Sequence, residues 1–292
     1  VPEVWKTAGL GALSVRSAVR GAGEFDAGGL ALAFERLGGG LSPQVAAEWF
    51  GLGTSVLSEH AAEAAVLLNL VLHAPRFTPD EVTRERITLA DQAAQAADDM
   101  VRHPMQLALQ VRFGNAGYGL PASGLPETIR ALTEGMVRAW HASELASGRS
   151  TIVAVGDLEP ERLAEQLAGI FGSGGVRAPT GAAGPGPGVQ DGARRGRSVV
   201  ERARRQTALA MFFPGPARGD STRFTAEVWA AMAGGLGGRL FIALRDRRSL
   251  AYTVMASSWQ RVDAGGLLLY IATSPEREDE ARLRVFVSGQ LR

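Results

Sequence analysis

Residues 234–254 read GGLGGRLFIALRDRRSLAYTV. The glycine run Gly234–Gly238 lies between two helical stretches, Thr222–Ala233 and Arg239–Asp246, and does not follow a strand. It therefore reads as a tight connector that lets two backbones approach, and not as a dinucleotide loop. Downstream, Ala251–Trp259 and Gly266–Thr273 read as strands and Glu276–Gln290 as a helix; upstream, Thr207–Phe213 (TALAMFF) is a strand. From about Val199 the order is thus β-α-α-β-β-α, an α+β arrangement.

The same order can be found earlier in the chain. A helix near Gly9–Val19 and another near Ala27–Arg36 precede two short strands between Gly40 and Val56 and a helix over Ala61–His73 (AAEAAVLLNLVLH). An offset of 209 residues sets Gly28–Gly29 on Gly237–Gly238 and Arg36 on Arg245. This reads as an internal duplication with very long repeats; two unrelated α+β domains are the alternative. A further helix starts at Thr78, with Pro79 at its first position and Glu81 completing a capping box, and runs through Arg86 and Leu89 toward Asp98. Pro126–Trp140 is expected to be helical, Ser150–Val155 (STIVAV) a strand closed by Gly156, and Pro160 to Phe171 a helix ending at Gly172. The Gly/Pro-rich stretch 173–198 has no hydrophobic period and reads as a linker. It divides a first domain, 1–172, from a second, 199–292. The arginine pairs Arg194–Arg195 and Arg204–Arg205 read as solvated linker charge.

Composition bounds the function classes. The chain has 292 residues, 46% hydrophobic and 21% charged, with 31 basic and 30 acidic residues and a net charge of +1. That describes a globular protein with no electrostatic case for nucleic acid or a membrane surface. No apolar run approaches the roughly 18 to 20 residues of a membrane span. No signal peptide is visible, but the sequence opens on Val1, so it is read as a segment that can begin inside a longer protein. There is no cysteine, which excludes thiol nucleophiles and thiolate metal sites. The compartment stays open, with cytoplasm favoured over periplasm.

The motifs of common catalytic machinery are missing. The four histidines, His60, His73, His103 and His141, include no i, i+4 pair of the kind that holds zinc on a helix. His60 and His73 read as surface or packing residues, His103 before Pro104 as a helix boundary, and His141 as a helix-terminal cation complementing the dipole. No G-x-S-x-G elbow and no P-loop occurs. The carboxylate pairs Asp98–Asp99 and Glu59–Glu63 read as helix-end or surface charge.

Four segments taken in order, HAPRFTPDEVTRER (73–86), YGLPASGLPETIRALT (118–133), STIVAVGDLEPERLAEQLAGIFG (150–172) and GGLGGRLFIALRDRRSLAYTV (234–254), resemble the insulinase-like (pitrilysin-type) zinc peptidases and the mitochondrial processing peptidase. The resemblance implies two tandem homologous α/β-sandwich domains, each an antiparallel-rich sheet covered by helices, forming one half of a clam shell. The family's strands before its zinc helix are missing here, and the second domain is short of a full repeat. The family's catalytic helix carries H-x-x-E-H after Gly-Leu-Ala. Here Gly9-Leu10-Gly11 precedes Ala12, which stands in the place of the first His, Val15 in that of the catalytic Glu and Arg16 in that of the second His. The supporting Glu matches Glu85, and seven residues on the third ligand is replaced by Gln92. Zinc needs neutral imidazole or anionic ligands. A methyl group, a permanent cation and an amide cannot supply them, and Val15 cannot activate water. The resemblance thus implies no metal and no catalytic residue in this chain.

In the second domain the family places an Arg and a Tyr seven residues apart to hold the substrate backbone; Arg245 and Tyr252 match them. In the first repeat the offset gives Arg36 and Pro43, so that copy lacks the pair. The family also binds peptide by strand addition; the matching edge here, about Leu41–Ala47, carries Pro43, which removes a ladder donor. The expected function is a catalytically silent subunit. It is inactive alone and binds unfolded peptide through Arg245 and Tyr252. It completes the site of a zinc-bearing homologous partner in a heterodimer, or associates as a homodimer, with zinc held only by the partner. The runner-up is a scaffold protein like the core subunits of respiratory complexes. A third reading is an active peptidase whose zinc motif lies outside this segment.

Overall fold

The computed structural model describes residues 5–146, 150–172 and 196–287 of the chain, with side chains to residue 282. The order is α1 (Leu10–Ala18), β1 (Gly21–Ala22), β2 (Phe25–Asp26), α2 (Ala27–Arg36), β3 (Gly40–Val45), β4 (Phe50–Ser55), α3 (Ala61–His73), α4 (Pro79–Asp98), α5 (Arg102–Phe113), α6 (Pro126–Ala131), α7 (Glu134–Trp140), α8 (Pro160–Phe171), β5 (Thr207–Gly215), α9 (Arg223–Ala233), α10 (Arg239–Phe241), β6 (Thr253–Gln260), β7 (Gly265–Thr273) and α11 (Glu278–Val287). It is a mixed α+β fold of small antiparallel sheets and many helices. Among the described residues no helix is long and apolar enough to cross a membrane.

By their contacts the described residues fall into two compact units. One holds residues 5–94 and 121–172; the other holds 95–120 and 196–287. The expected linker lies outside the described residues, apart from 196–198, as do Arg194–Arg195 and the end of the expected last helix.

In the first unit α1 is the central element. All of its residues are buried except Arg16, as expected of a helix apolar on nearly every side. Its entry depends on glycine. Gly9 caps α1 at φ 92, and Gly124, at φ 84, lies directly against it. A Cβ at Gly124 would meet Gly9 Cα and stand 2.7 Å from the carbonyl oxygen of Ala8. The Thr128 hydroxyl, buried at the start of α6, ties the same strip of backbone by donating to Ala8 O at 2.8 Å. Around α1 pack Leu30 and Phe34 of α2, Val71 of α3, Val82 and Leu89 of α4, Ile129 and Val137. The β3–β4 hairpin pairs Gly40 with Ser55 through Val45 with Phe50.

Two expectations fail here. The helix foreseen over Pro126–Trp140 is two helices. Leu132 and Thr133 turn extended, and the Thr133 hydroxyl oxygen accepts from Met136 N–H at 3.3 Å to cap α7; a threonine that bonds the backbone favours a cap over a helix interior. The stretch Ser150–Val155 forms no strand. A strand needs a neighbour to bond with, and among the described residues none pairs with this stretch, in which Val153 is 79% and Val155 93% exposed.

In the second unit β7 is the central strand of a three-stranded antiparallel sheet ordered β5-β7-β6. Thr207 pairs with Thr273 and Thr253 with Ala272. Its sequence GGLLLYIAT is buried at almost every position, as a strand covered on both faces must be. Leu240, Leu244, Leu250, Val254, Leu269 and Ile271 form the core on one face. The glycine connector works as its sequence suggests: a Cβ at Gly238 would sit 2.6 Å from the Ala233 carbonyl oxygen. The two-helix, hairpin, helix order of α1-α2-β3-β4-α3 recurs in α9-α10-β6-β7-α11. Helix α5 was not foreseen.

Candidate functional site

Arg16 is the one residue of α1 that is not buried, and the structure shows what it reaches. Its Nε donates to Glu85 Oε2 at 2.9 Å and its Nη1 to Gln92 Oε1 at 3.2 Å. Glu85 lies on the apolar stripe of α4, between Val82 and Leu89, and is 3% exposed. A carboxylate at that depth is tolerable only when paired. It takes a second guanidinium as well: Arg20 Nε donates to Oε1 at 2.6 Å. Ala12 and Val15, on the same helix, are buried at 2% and 0%. The structure therefore brings Arg16, Glu85 and Gln92 together across α1 and α4, with Ala12 and Val15 buried on α1. Arg20 was not foreseen; it lies in the turn that follows α1, two residues past Ala18.

This arrangement does not suit a divalent cation. Two guanidiniums share the one carboxylate, and Ala12 has no donor atom. Among the described residues no cluster of three His, Cys, Asp or Glu side chains could hold a metal.

The second feature lies in the other unit. After α10 the chain makes a π-helical turn over Ile242–Asp246 that carries Arg245. Ser249 takes a positive φ of 50, while its N–H donates to Arg245 O at 2.8 Å and the N–H of Leu250 to Leu244 O at 2.7 Å. The chain then enters the sheet: Tyr252 N–H donates to Ala272 O at 2.8 Å. These bonds set the two side chains together. The Arg245 guanidinium carbon is 5.4 Å from the centre of the Tyr252 ring and 5.0 Å from that of Phe241. Phe241, four residues before Arg245 at the end of α10, was missed; the i, i+4 spacing is the signal that finds it. Tyr252 is 69% exposed, so its hydroxyl points to solvent-accessible space. Stacking on two rings holds a guanidinium in a defined plane.

The histidines take no part in either feature. His60 faces Glu63 at 3.5 Å on the surface, and His103 is the second residue of α5. His141 is not an exposed helix-end cation. It is buried, with Nε2 2.9 Å from Leu72 O and its ring edge-on to Phe77. Burial, and then neighbouring His73, lower its pKa against the opposing Leu72 bond, favouring the neutral ring. Asp99 caps α5, accepting from Val101 and Arg102 N–H at 2.8 Å each.

Comparison with known proteins gives a consistent picture. Residues 131–288 match the family described as the peptidase M16 inactive domain. A protein of Mycobacterium tuberculosis described as an uncharacterized zinc protease is 29% identical over 250 residues, which are 85% of this chain and 57% of that protein. The chain thus spans a little over half the length of such relatives. Among solved structures, a peptidase M16 inactive domain from Pseudomonas fluorescens superposes with a TM-score of 0.77 at 20% identity, covering 96% of this chain and 68% of its own. A protease from Helicobacter pylori gives 0.81 at 18% identity, covering 98% and 70%.

Proposed function

The chain belongs to the family of peptidase M16 inactive domains, and on that footing we propose that it is a zinc-less subunit that completes the active site of a homologous, zinc-bearing chain. The observation that carries the proposal is the Arg16 guanidinium bonded to Glu85 and Gln92. On the family resemblance Ala12, Val15, Arg16 and Gln92 stand where zinc ligands and the catalytic carboxylate belong, and a bound guanidinium fills the charge role of the cation there. The residues present do not fit zinc, so any metal belongs to the partner. Either a heterodimer with that partner or a homodimer would bring two halves together.

The substrate is unfolded peptide. Arg245 offers fixed, permanently charged N–H donors to backbone carbonyls, and the Tyr252 hydroxyl offers a donor to an oxygen on which negative charge develops. Neither group moves a proton from substrate in this reading; both bind and orient. The test is reconstitution with the zinc-bearing homologue. Peptidase activity should depend on adding this chain and should fall when it carries Arg245→Ala with Tyr252→Phe. Unchanged activity with that variant would favour a scaffold role, and stoichiometric zinc in the purified chain would overturn the proposal.

A further inference from the structure

The guanidinium of Arg245 lies over two rings. Its central carbon is 5.0 Å from the centre of Phe241 and 5.4 Å from that of Tyr252. Both distances fall inside the roughly 6 Å over which an aromatic face attracts a cation. All three residues belong to the second unit. The two rings are anchored differently. Tyr252 is 69% exposed. Phe241 is half-buried and packs against the core cluster that contains Leu240, Leu244 and Leu250. Phe241 is therefore the fixed wall of the pair, set by the packing of α10 and the turn after it.

Contact with a ring uses the flat face of a guanidinium and leaves its N–H edge to acceptors. Those N–H groups lie in one plane, so whatever sets the plane sets the direction of every bond the group can make. Arg16 shows the other way of holding an arginine: its donors are spent on Glu85 and Gln92. A guanidinium held by rings is oriented before it meets a ligand, and less side-chain freedom is lost when it binds.

We propose that Phe241 is a positioning residue for peptide binding. It acts through Arg245, holding the guanidinium in the plane in which its N–H edge meets a backbone carbonyl. The inference rests on the reading of Arg245 as a peptide-binding group.

The test uses the full chain reconstituted with the zinc-bearing homologue and an unstructured fluorogenic peptide. Phe241→Leu keeps an apolar side chain against the core and removes the ring. It should raise KM about two- to fivefold with kcat little changed, and Phe241→Tyr, which keeps the ring, should restore KM. Once Arg245→Ala is present, Phe241→Leu should raise KM no further, because the two residues act as one unit. On the chain alone, the ring-shifted Arg245 Nε–H resonance should move in Phe241→Leu and stay in Phe241→Tyr. If Arg245→Ala raises KM but Phe241→Leu does not, or raises it equally with and without Arg245, the inference is wrong and the reading of Arg245 stands. If Arg245→Ala leaves KM unchanged, both are wrong. An Arg245 resonance unmoved by Phe241→Leu would sink the inference whatever the kinetics.

Discussion

Arg16 on α1 and Glu85 on α4 are joined by a 2.9 Å ion-paired hydrogen bond across 69 positions of sequence. The contact ties the one residue of α1 that is not buried to the carboxylate that α4 buries. It also explains how a carboxylate is kept at 3% exposure.

Removing the shared acceptor should therefore hurt more than removing one donor. Glu85→Ala leaves two guanidiniums without a counter-ion and should cost about 2 to 4 kcal/mol, the lower end reflecting solvent at Arg20. Arg16→Leu leaves Glu85 paired with Arg20 and should cost about 1 kcal/mol. Urea unfolding of the two variants checks the order; equal losses would contradict it.

If Ala12, Arg16 and Gln92 stand in ligand positions, returning them to ligands should create a metal site. The triple variant Ala12→His, Arg16→His, Gln92→Glu should bind zinc at about one per chain, while the parent binds none by elemental analysis. Without metal the variant should be less stable than the parent, because Ala12 is 2% exposed and has no room for a ring.

Tyr252 and Tyr270 should separate function from stability. Tyr270 is 2% exposed and its hydroxyl donates to Met100 O at 2.7 Å, so Tyr270→Phe should cost about 1 kcal/mol. Tyr252→Phe keeps the ring under Arg245 and should stay within about 0.5 kcal/mol of the parent, while lowering peptidase activity in the reconstituted pair.

Gly124→Ala should be among the most damaging small changes. The added methyl meets the backbone of Ala8 and Gly9 and sits at a positive φ, so no rotamer can relieve it; about 3 kcal/mol or more is expected. A melting temperature within two degrees of the parent would refute it.

Stability should fall on mild acidification. Burial, the leading cause in each case, lowers the pKa of His141 and of His103 below the ordinary 6.5. The unfolded chain then binds more protons between that value and the lower folded one, so stability drops as pH falls through 6.5 and levels off below the folded pKa. His141→Gln should flatten the decline between pH 7 and 5, read from denaturation curves.

Local chemistry along the chain determined a good deal of this protein. Periodicity and caps located α1, α2, α3, α4 and α8, as well as the second-unit strands, because helix and strand periods depend on neighbouring residues. The interest of Arg245, Tyr252 and Arg16 came from the family resemblance and not from local chemistry. Tertiary contact decided the rest. TIVAV has strand composition but forms none, because a ladder needs a second strand that composition cannot supply. Thr133 splits an expected helix through one capping bond. Glu85 acquires Arg16 and Arg20, and Arg245 acquires Phe241 and Tyr252, only when the backbone folds. Distances and burial are set by packing, and no residue encodes them alone.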